Sequence, residues 1–399
     1  MLNSPSPAPS VAVHNVFLKM LPITLAVFVG FLTIGLPLPV LPLHLHYTLG
    51  LSNLIVGVAI GTQFGAALLS RAPAGVLADT RGGKRSVIIG LSIATLSGVA
   101  YLASLAFIAT PVASLGVLLL GRVLLGCGES FIIVGALGWG IGLVGPQNTG
   151  RVMAWVGIAM FAAYGSGAPL GSLIYKAYGF FGIALATIAI PLLALAVVAP
   201  ARPVAVPATR RVPFYKVLGS VWVPGLGLFL CSSGFGALTT FIALLFAAKN
   251  WGSASLAFTS FGVAFIGARL LFAHLPDKIG GAKVALVCVL IETAGQILIW
   301  QAGHVLVAYL GAALAGFGYS LAFPGFGVEA VRRAPPQSRG VAMGAFIAFL
   351  DMSLGITGPA AGAIANADGV STVYLASAIS VALSAIIAIY LMLNPPQAA

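Results

Sequence analysis

The chain has 399 residues, of which 60% are hydrophobic and only 7% charged, against roughly a quarter charged in a soluble domain. That balance excludes a water-soluble globular fold. The formal charge of +12 does not mark a nucleic-acid binder, because the basic residues lie in short segments between apolar runs rather than along one stripe.

Residues 1–16, rich in Ser and Pro, lack the basic start and small-residue cleavage site of a signal peptide, and read as a cytoplasmic tail. Apolar runs of about 20 residues, the length that crosses the hydrocarbon core as a helix, then follow one another. They cover 17–42, 52–72, 86–109, 113–141, 149–175 and 179–199, and after a break 217–247, 253–274, 283–302, 305–330, 339–365 and 370–393. The break, 200–216, is the longest connection and is rich in Pro and Arg. It divides a six-helix bundle over 17–199 from another over 217–393, with 394–399 as a C-terminal tail. The fold class expected is an all-α integral membrane protein with twelve transmembrane helices in two pseudo-symmetric six-helix bundles. Its 50 glycines and 24 prolines are scattered through the apolar runs, where neighbouring helices can satisfy the backbone groups they free.

Loop charge gives the orientation. With both termini inside, the cytoplasmic segments hold Lys19, Arg81, Lys84, Arg85, Arg151, Arg202, Arg210, Arg211, Lys216, Lys278, Lys283, Arg332, Arg333 and Arg339, and the opposite face only Lys176 and Lys249. A multi-pass protein of the cytoplasmic (inner) membrane follows. Cys127, Cys231 and Cys288 all lie inside spans without ligand spacing, so no disulfide, metal or other cofactor is expected. No nucleophile or phosphate-binding constellation points to an enzyme.

The two halves repeat one another. Arg71 and Asp79 are eight residues apart at the end of the second span, and Arg269 and Asp277 recur at that spacing after the eighth, each pair running into a Gly-Gly loop. Gly126-Cys127-Gly128-Glu129-Ser130 matches Gly316-Phe317-Gly318-Tyr319-Ser320, and the run from Gly165 to Gly171 is similar to that from Gly355 to Gly362. Repeats of this kind in transporters put the substrate site between the halves near mid-membrane.

The loop Gly75-Val76-Leu77-Ala78-Asp79-Thr80-Arg81-Gly82-Gly83-Lys84-Arg85 resembles the signature of the major facilitator superfamily, departing from it at Thr80, where a basic residue is usual. Ala273 to Lys283 is a degenerate second copy that keeps Asp277, Lys278, Gly280 and Lys283. The resemblance implies the major facilitator fold and a conformational latch closing the cytoplasmic side in one state. Asp79, Arg81, Lys84, Arg85 and Asp277 would form it, with Arg71 as a weaker member; snorkelling to the interface would satisfy Arg71 and Arg269, while their recurrence in both halves favours paired contacts across the domain interface.

Ionisable groups within spans are costly and so mark function or pairing. Arg122 and Glu129, seven apart, share one helical face and are expected to face one cavity, about 10 Å from each other. Glu129 and Asp351 are the candidate proton carriers, with a permanent ion pair and a structural contact as their respective rivals, and Arg122 is a candidate substrate-binding residue. Glu292 reads as packing with Gln296 one turn away, and Glu329 as an interfacial charge near Arg332 and Arg333. By resemblance, the cavity is lined by the first, fourth, fifth, seventh, tenth and eleventh spans, which offers Phe28, Phe31, Tyr164, Phe235, Tyr319 and Phe323. Pro169 among the glycines of the fifth span resembles the glycine-proline motif of exporting antiporters in the superfamily, although ordinary tight packing explains the same residues.

The function expected is proton-coupled efflux of a small organic molecule (drug-like, sugar or metabolite) by an antiporter working through alternating access, as a monomer whose partners are substrate, protons and membrane lipid. The alternative within transport is a proton symporter importing a sugar or organic acid. A nontransporting membrane receptor or scaffold is the alternative of another class.

Overall fold

The computed structural model describes residues 13–145, 148–204, 215–334 and 339–395. Arg210 and Arg211, most of the 200–216 connection and most of both tails lie outside the described residues, as do the side chains of Lys19, Lys216 and Arg339. The helices in order are α1 (Val13–Gly35), α2 (Leu41–Leu43) passing into a π turn (His44–Thr48), α3 (Asn53–Arg81), α4 (Gly83–Ser104), α5 (Pro111–Val144), α6 (Thr149–Val198), α7 (Tyr215–Ala248), α8 (Ser255–Phe272), the short α9 (Leu275–Ile279), α10 (Gly281–Gln301), α11 (Val305–Arg333), α12 (Arg339–Asp368) and α13 (Thr372–Leu393). Among the described residues there is no strand.

Among the described residues, ten helices are long and apolar enough to cross a membrane, and α1 contributes a shorter apolar stretch, Met20–Gly35. Helix α6 holds two of the expected spans. Its 50 residues would reach about 75 Å if straight, more than twice the hydrocarbon thickness. It breaks at Gly179, whose φ of 62° an L side chain rarely adopts. The break brings the spans to twelve. Their outward surface is apolar, with Leu69, Val112 and Val263 exposed, while Arg122 and Glu292 are buried. That is the reverse of a soluble protein and what lipid as solvent requires.

The repeat extends into the backbone. Gly82 after α3 and Gly280 after α9 both have positive φ, 90° and 101°, and each is three residues beyond its acid, Asp79 or Asp277. These turns let consecutive spans fold back at the same place in each half. Within the halves, α4 packs on α5 as α10 packs on α11. Between the halves run two seams, α3 with α12 and the first part of α6 with α8.

Both seams are tight at the end away from the Asp79 and Asp277 loops. A Cβ on Gly57 of α3 would lie 2.0 Å from the Gly358 carbonyl oxygen of α12, and one on Gly61 would lie 2.6 Å from that of Gly355. At the tip, the Asn53 N–H donates to Asn366 Oδ1 at 3.1 Å. In the other seam, Thr259 Oγ1 donates to the Gly165 carbonyl at 3.0 Å. Backbones this close gain dispersion contact and leave no room for water. The structure is therefore closed at this end and open at the end bearing the two signature loops.

Gly57→Ala is expected to lower stability in detergent by about 1 to 3 kcal/mol through overpacking. Gly75→Ala on the same helix, where nothing lies within 4 Å, should be neutral or stabilising. Thermal unfolding of the two variants checks this, and equal midpoints would contradict the close approach.

Candidate functional site

A cavity of about 680 Å³ lies between the halves and leads to the open end, where Asp277 and Arg332 stand at its mouth. Its wall is mostly apolar, with Ile133 and Leu137 from α5, Met160 from α6, Val331 from α11, and Met343 and Ile347 from α12. The polar groups converge where α3, α5 and α12 meet. Arg71 of α3 donates from Nε and Nη2 to Oδ2 and Oδ1 of Asp351 on α12, at 2.5 and 2.7 Å. This bidentate geometry makes the strongest kind of side-chain ion pair. It joins the two halves at the inner edge of the α3–α12 seam. Glu129 of α5 accepts from Gln63 Nε2 of α3 at 2.7 Å and lies within electrostatic range of both Asp351 and Arg71.

The cavity's inner end is aromatic. Phe161 and Tyr164 of α6, Phe235 of α7, Phe265 of α8 and Tyr319 of α11 all border it. Phe161 stacks on Phe265 with centroids 3.7 Å apart, and Phe235 stacks on Tyr319 at 5.6 Å. The Tyr319 hydroxyl is 3.1 Å from Ser232 Oγ, which holds the ring in place. Arg269 of α8 also faces the cavity, over the Phe265 ring at 5.0 Å.

Of the residues singled out in the sequence, Glu129, Asp351, Tyr164, Phe235, Tyr319, Phe323, Arg71 and Asp277 line this cavity. Arg122 does not, which corrects its assignment to substrate and its expected shared cavity with Glu129. Helices α3 and α5 cross closely at Gly126, where a Cβ would come 1.9 Å from the Gln63 carbonyl oxygen. Glu129 emerges on the cavity side of that crossing and Arg122 on the other. There Arg122 is 1% exposed and donates to the Ala59 and Ile60 carbonyls at 3.2 and 3.3 Å and to the Tyr101 hydroxyl at 3.3 Å. Helical phase puts the two residues on one face; the neighbouring backbone separates them.

Arg71 neither snorkels nor joins the loop charges; it makes a paired contact across the two halves, as its recurrence in the repeat suggested, with Asp351 as the partner. Phe28 and Phe31 are outside the wall, Phe31 lying fully buried edge-on to Tyr164 at 5.9 Å. The expected latch residues Asp79, Arg81 and Arg85 are exposed and form no ion pair among the described residues. Lys84 donates to the Ala199 and Ala201 carbonyls at 2.8 and 2.6 Å, tying the end of α6 to α4. Asp277 is exposed at the mouth.

Glu292 is fully buried and finds no hydrogen-bond partner among the described residues, whereas Gln296 accepts from Ser377 Oγ at 2.9 Å. Glu329, near the end of α11, is buried against its neighbours, pairing with Arg333 and accepting from the Ala282 N–H. The sequence reading missed Gln63, Phe161 and Phe265, and did not include Arg269 in the site. The repeated Arg-to-Asp spacing was a signal for Arg269. An uncharged glutamine and two phenylalanines among 23 carried none.

Two bundles joined by helix seams, with a polar cluster and an aromatic wall in the cavity between them, define a multi-pass membrane transporter. The Major Facilitator Superfamily profile matches residues 23–250 and 224–399. An uncharacterized MFS-type transporter of Salmonella typhimurium, STM4428, is 42% identical over 387 residues, covering 97% of this chain and 99% of its own length. Another from Burkholderia mallei is 46% identical over 360 residues, covering 89% and 87% of the two chains. The solved structure of the nucleoside transporter NupG superposes with a TM-score of 0.74 at 14% identity, covering 93% of this chain and 99% of that one. The chain belongs to the major facilitator superfamily.

Removing the carboxylate from the Arg71–Asp351 pair leaves the largely buried Arg71 charge unmatched, so Asp351→Asn is expected to cost up to about 3 kcal/mol. The double variant Arg71→Gln/Asp351→Asn should recover much of that loss. A double-mutant cycle of thermal unfolding measures the coupling, and strictly additive losses would disprove it.

Proposed function

We propose that the protein is a proton-coupled exporter, an antiporter of the bacterial inner membrane that expels a small organic molecule by alternating access. The observation that carries this reading is the Arg71–Asp351 ion pair, set between the halves beside Glu129 and exposed to the cavity. An exchanger must not switch sides empty. With Asp351 ionised and no substrate bound, the pair holds the α3–α12 seam shut. A proton on Asp351 removes its charge, and a substrate group that binds either member competes with the pair. Either ligand then frees the seam, and because both act on the same pair they exclude one another. That is the logic of obligatory exchange. Glu129 would supply a second proton-accepting position next to it, with Gln63 as its fixed donor.

In this reading the basic loops lie on the cytoplasmic side with both termini, so the structure corresponds to the inward-facing state. Asp79 and Asp277, exposed here, would meet partners only when that side closes. The halves are taken as 17–199 and 217–393, moving as two bodies about the seams. Tyr164, Phe235 and Tyr319 would form the substrate wall.

Spin labels at Thr80→Cys and Ile279→Cys, on exposed positions near the two signature loops, report closure of the cytoplasmic side. Acidification, or Asp351→Asn at neutral pH, is expected to raise the short-distance population. No change in either condition would remove the pair from the switch. In proteoliposomes, movement of a transported compound should alter luminal pH and depend on an imposed pH gradient. Transport indifferent to collapse of that gradient would overturn proton exchange.

A further inference from the structure

Arg71 and Arg269 occupy repeat-related places, but they are not treated alike. Arg71 has its carboxylate in Asp351, four residues before Gly355 on α12. The position four residues before Gly165 on α6 is Phe161. Where one seam supplies an acid, the other supplies an aromatic ring, and that ring stacks on Phe265 beneath the Arg269 guanidinium. No carboxylate among the described residues forms an ion pair with Arg269. Among the described residues, one of its five N–H donors is used, by the Ser320 carbonyl at 2.8 Å. Its Nη1 points toward α6 across the seam, where a Cβ on Gly157 would come within 2.8 Å.

A guanidinium without a counter-ion is costly at this depth unless water or a ligand meets it. Here it borders a cavity of the size that encloses a drug-sized molecule. Planar donors fit carboxylate geometry, and stacked rings accept a flat apolar body. We infer that the cavity is built for an aromatic or amphipathic organic anion, with Arg269 binding its carboxylate and the Phe161–Phe265 and Phe235–Tyr319 stacks receiving its body. This rests on taking the central cavity as the substrate site. The missing acid of the second seam is then the one the substrate brings, and Arg71, when released by Asp351, stands as a second cation for it.

Calorimetry on the purified full-length protein in detergent, with no gradient present, tests this with matched probes: indole-3-acetate against indole-3-acetamide, 2-naphthoate against 2-naphthamide, and tryptamine as a cationic counterpart. Both carboxylates should bind about ten- to a hundredfold more tightly than their amides, the range expected for hydrogen bonds to a charged group. In Arg269→Gln the carboxylate-to-amide ratio should fall to about one, with Arg269→Lys keeping part of the preference. A merely structural loss would weaken both members of a pair and leave their ratio unchanged. The inference is overturned if amides or tryptamine bind as well as the carboxylates, if the preference survives Arg269→Gln, or if neither carboxylate binds at millimolar concentration. Arg269-dependent carboxylate binding combined with gradient-indifferent transport would overturn proton exchange alone and leave the anion site standing.

Discussion

An ion placed in hydrocarbon costs at least about 2.5 to 3.5 kcal/mol unless a counter-charge, a dipole or water meets it, and in this protein one helix supplies most of those matches. Helix α3 offers the Ala59 and Ile60 carbonyls to Arg122, the Gln63 amide to Glu129, and Arg71 to Asp351. Successive levels of α3 thus bind α5 twice and then α12. The first two contacts stay within one half and fix the helix in its bundle. The third crosses to the other half, so the element that organises the first bundle also carries the polar link between the two.

The glycines of the closed end make that link matter. With backbones as near as Gly57 to Gly358, the α3–α12 seam is close-packed and leaves little room for gradual yielding. In the proposed exchange cycle, a charge pair at its inner edge would bias whether the seam stays joined or parts. The α6–α8 seam is built differently, from Thr259 on the Gly165 carbonyl and from aromatic stacking around Phe161 and Phe265. One seam has an internal counter-ion for its arginine, and in the other the arginine lies over a ring and donates to a backbone carbonyl, with no acid paired to it among the described residues. The cavity is therefore chemically lopsided within a nearly symmetric frame, which suits recognition of one ligand orientation.

Much of this frame is visible in the order of residues. Twelve apolar runs, the basic loops and the duplicated Arg-to-Asp spacing depend on composition and short-range position, which the chain displays directly. Asp351 and Glu129 also stand out, since an acid within a span is rare whatever surrounds it. Arg122 misleads for an instructive reason. Its phase relative to Glu129 is a property of α5 alone, while its access to the cavity is decided by where α3 crosses at Gly126. For Arg71 the repeat suggests a contact across the halves but not its partner, which is 280 residues away in the chain.

The sequence by itself determined an all-helical membrane protein of two repeated halves, because apolar length and backbone hydrogen bonding in lipid leave few other solutions. It also determined which rare charged residues required an explanation. Only the tertiary structure decided how those charges are matched, which end of the seams is closed, and that Arg269 faces the cavity with no acid paired to it among the described residues. Each of these depends on contacts between helices far apart in sequence, and in a chain this rich in glycine close approach is possible at many places, so folding selects among them.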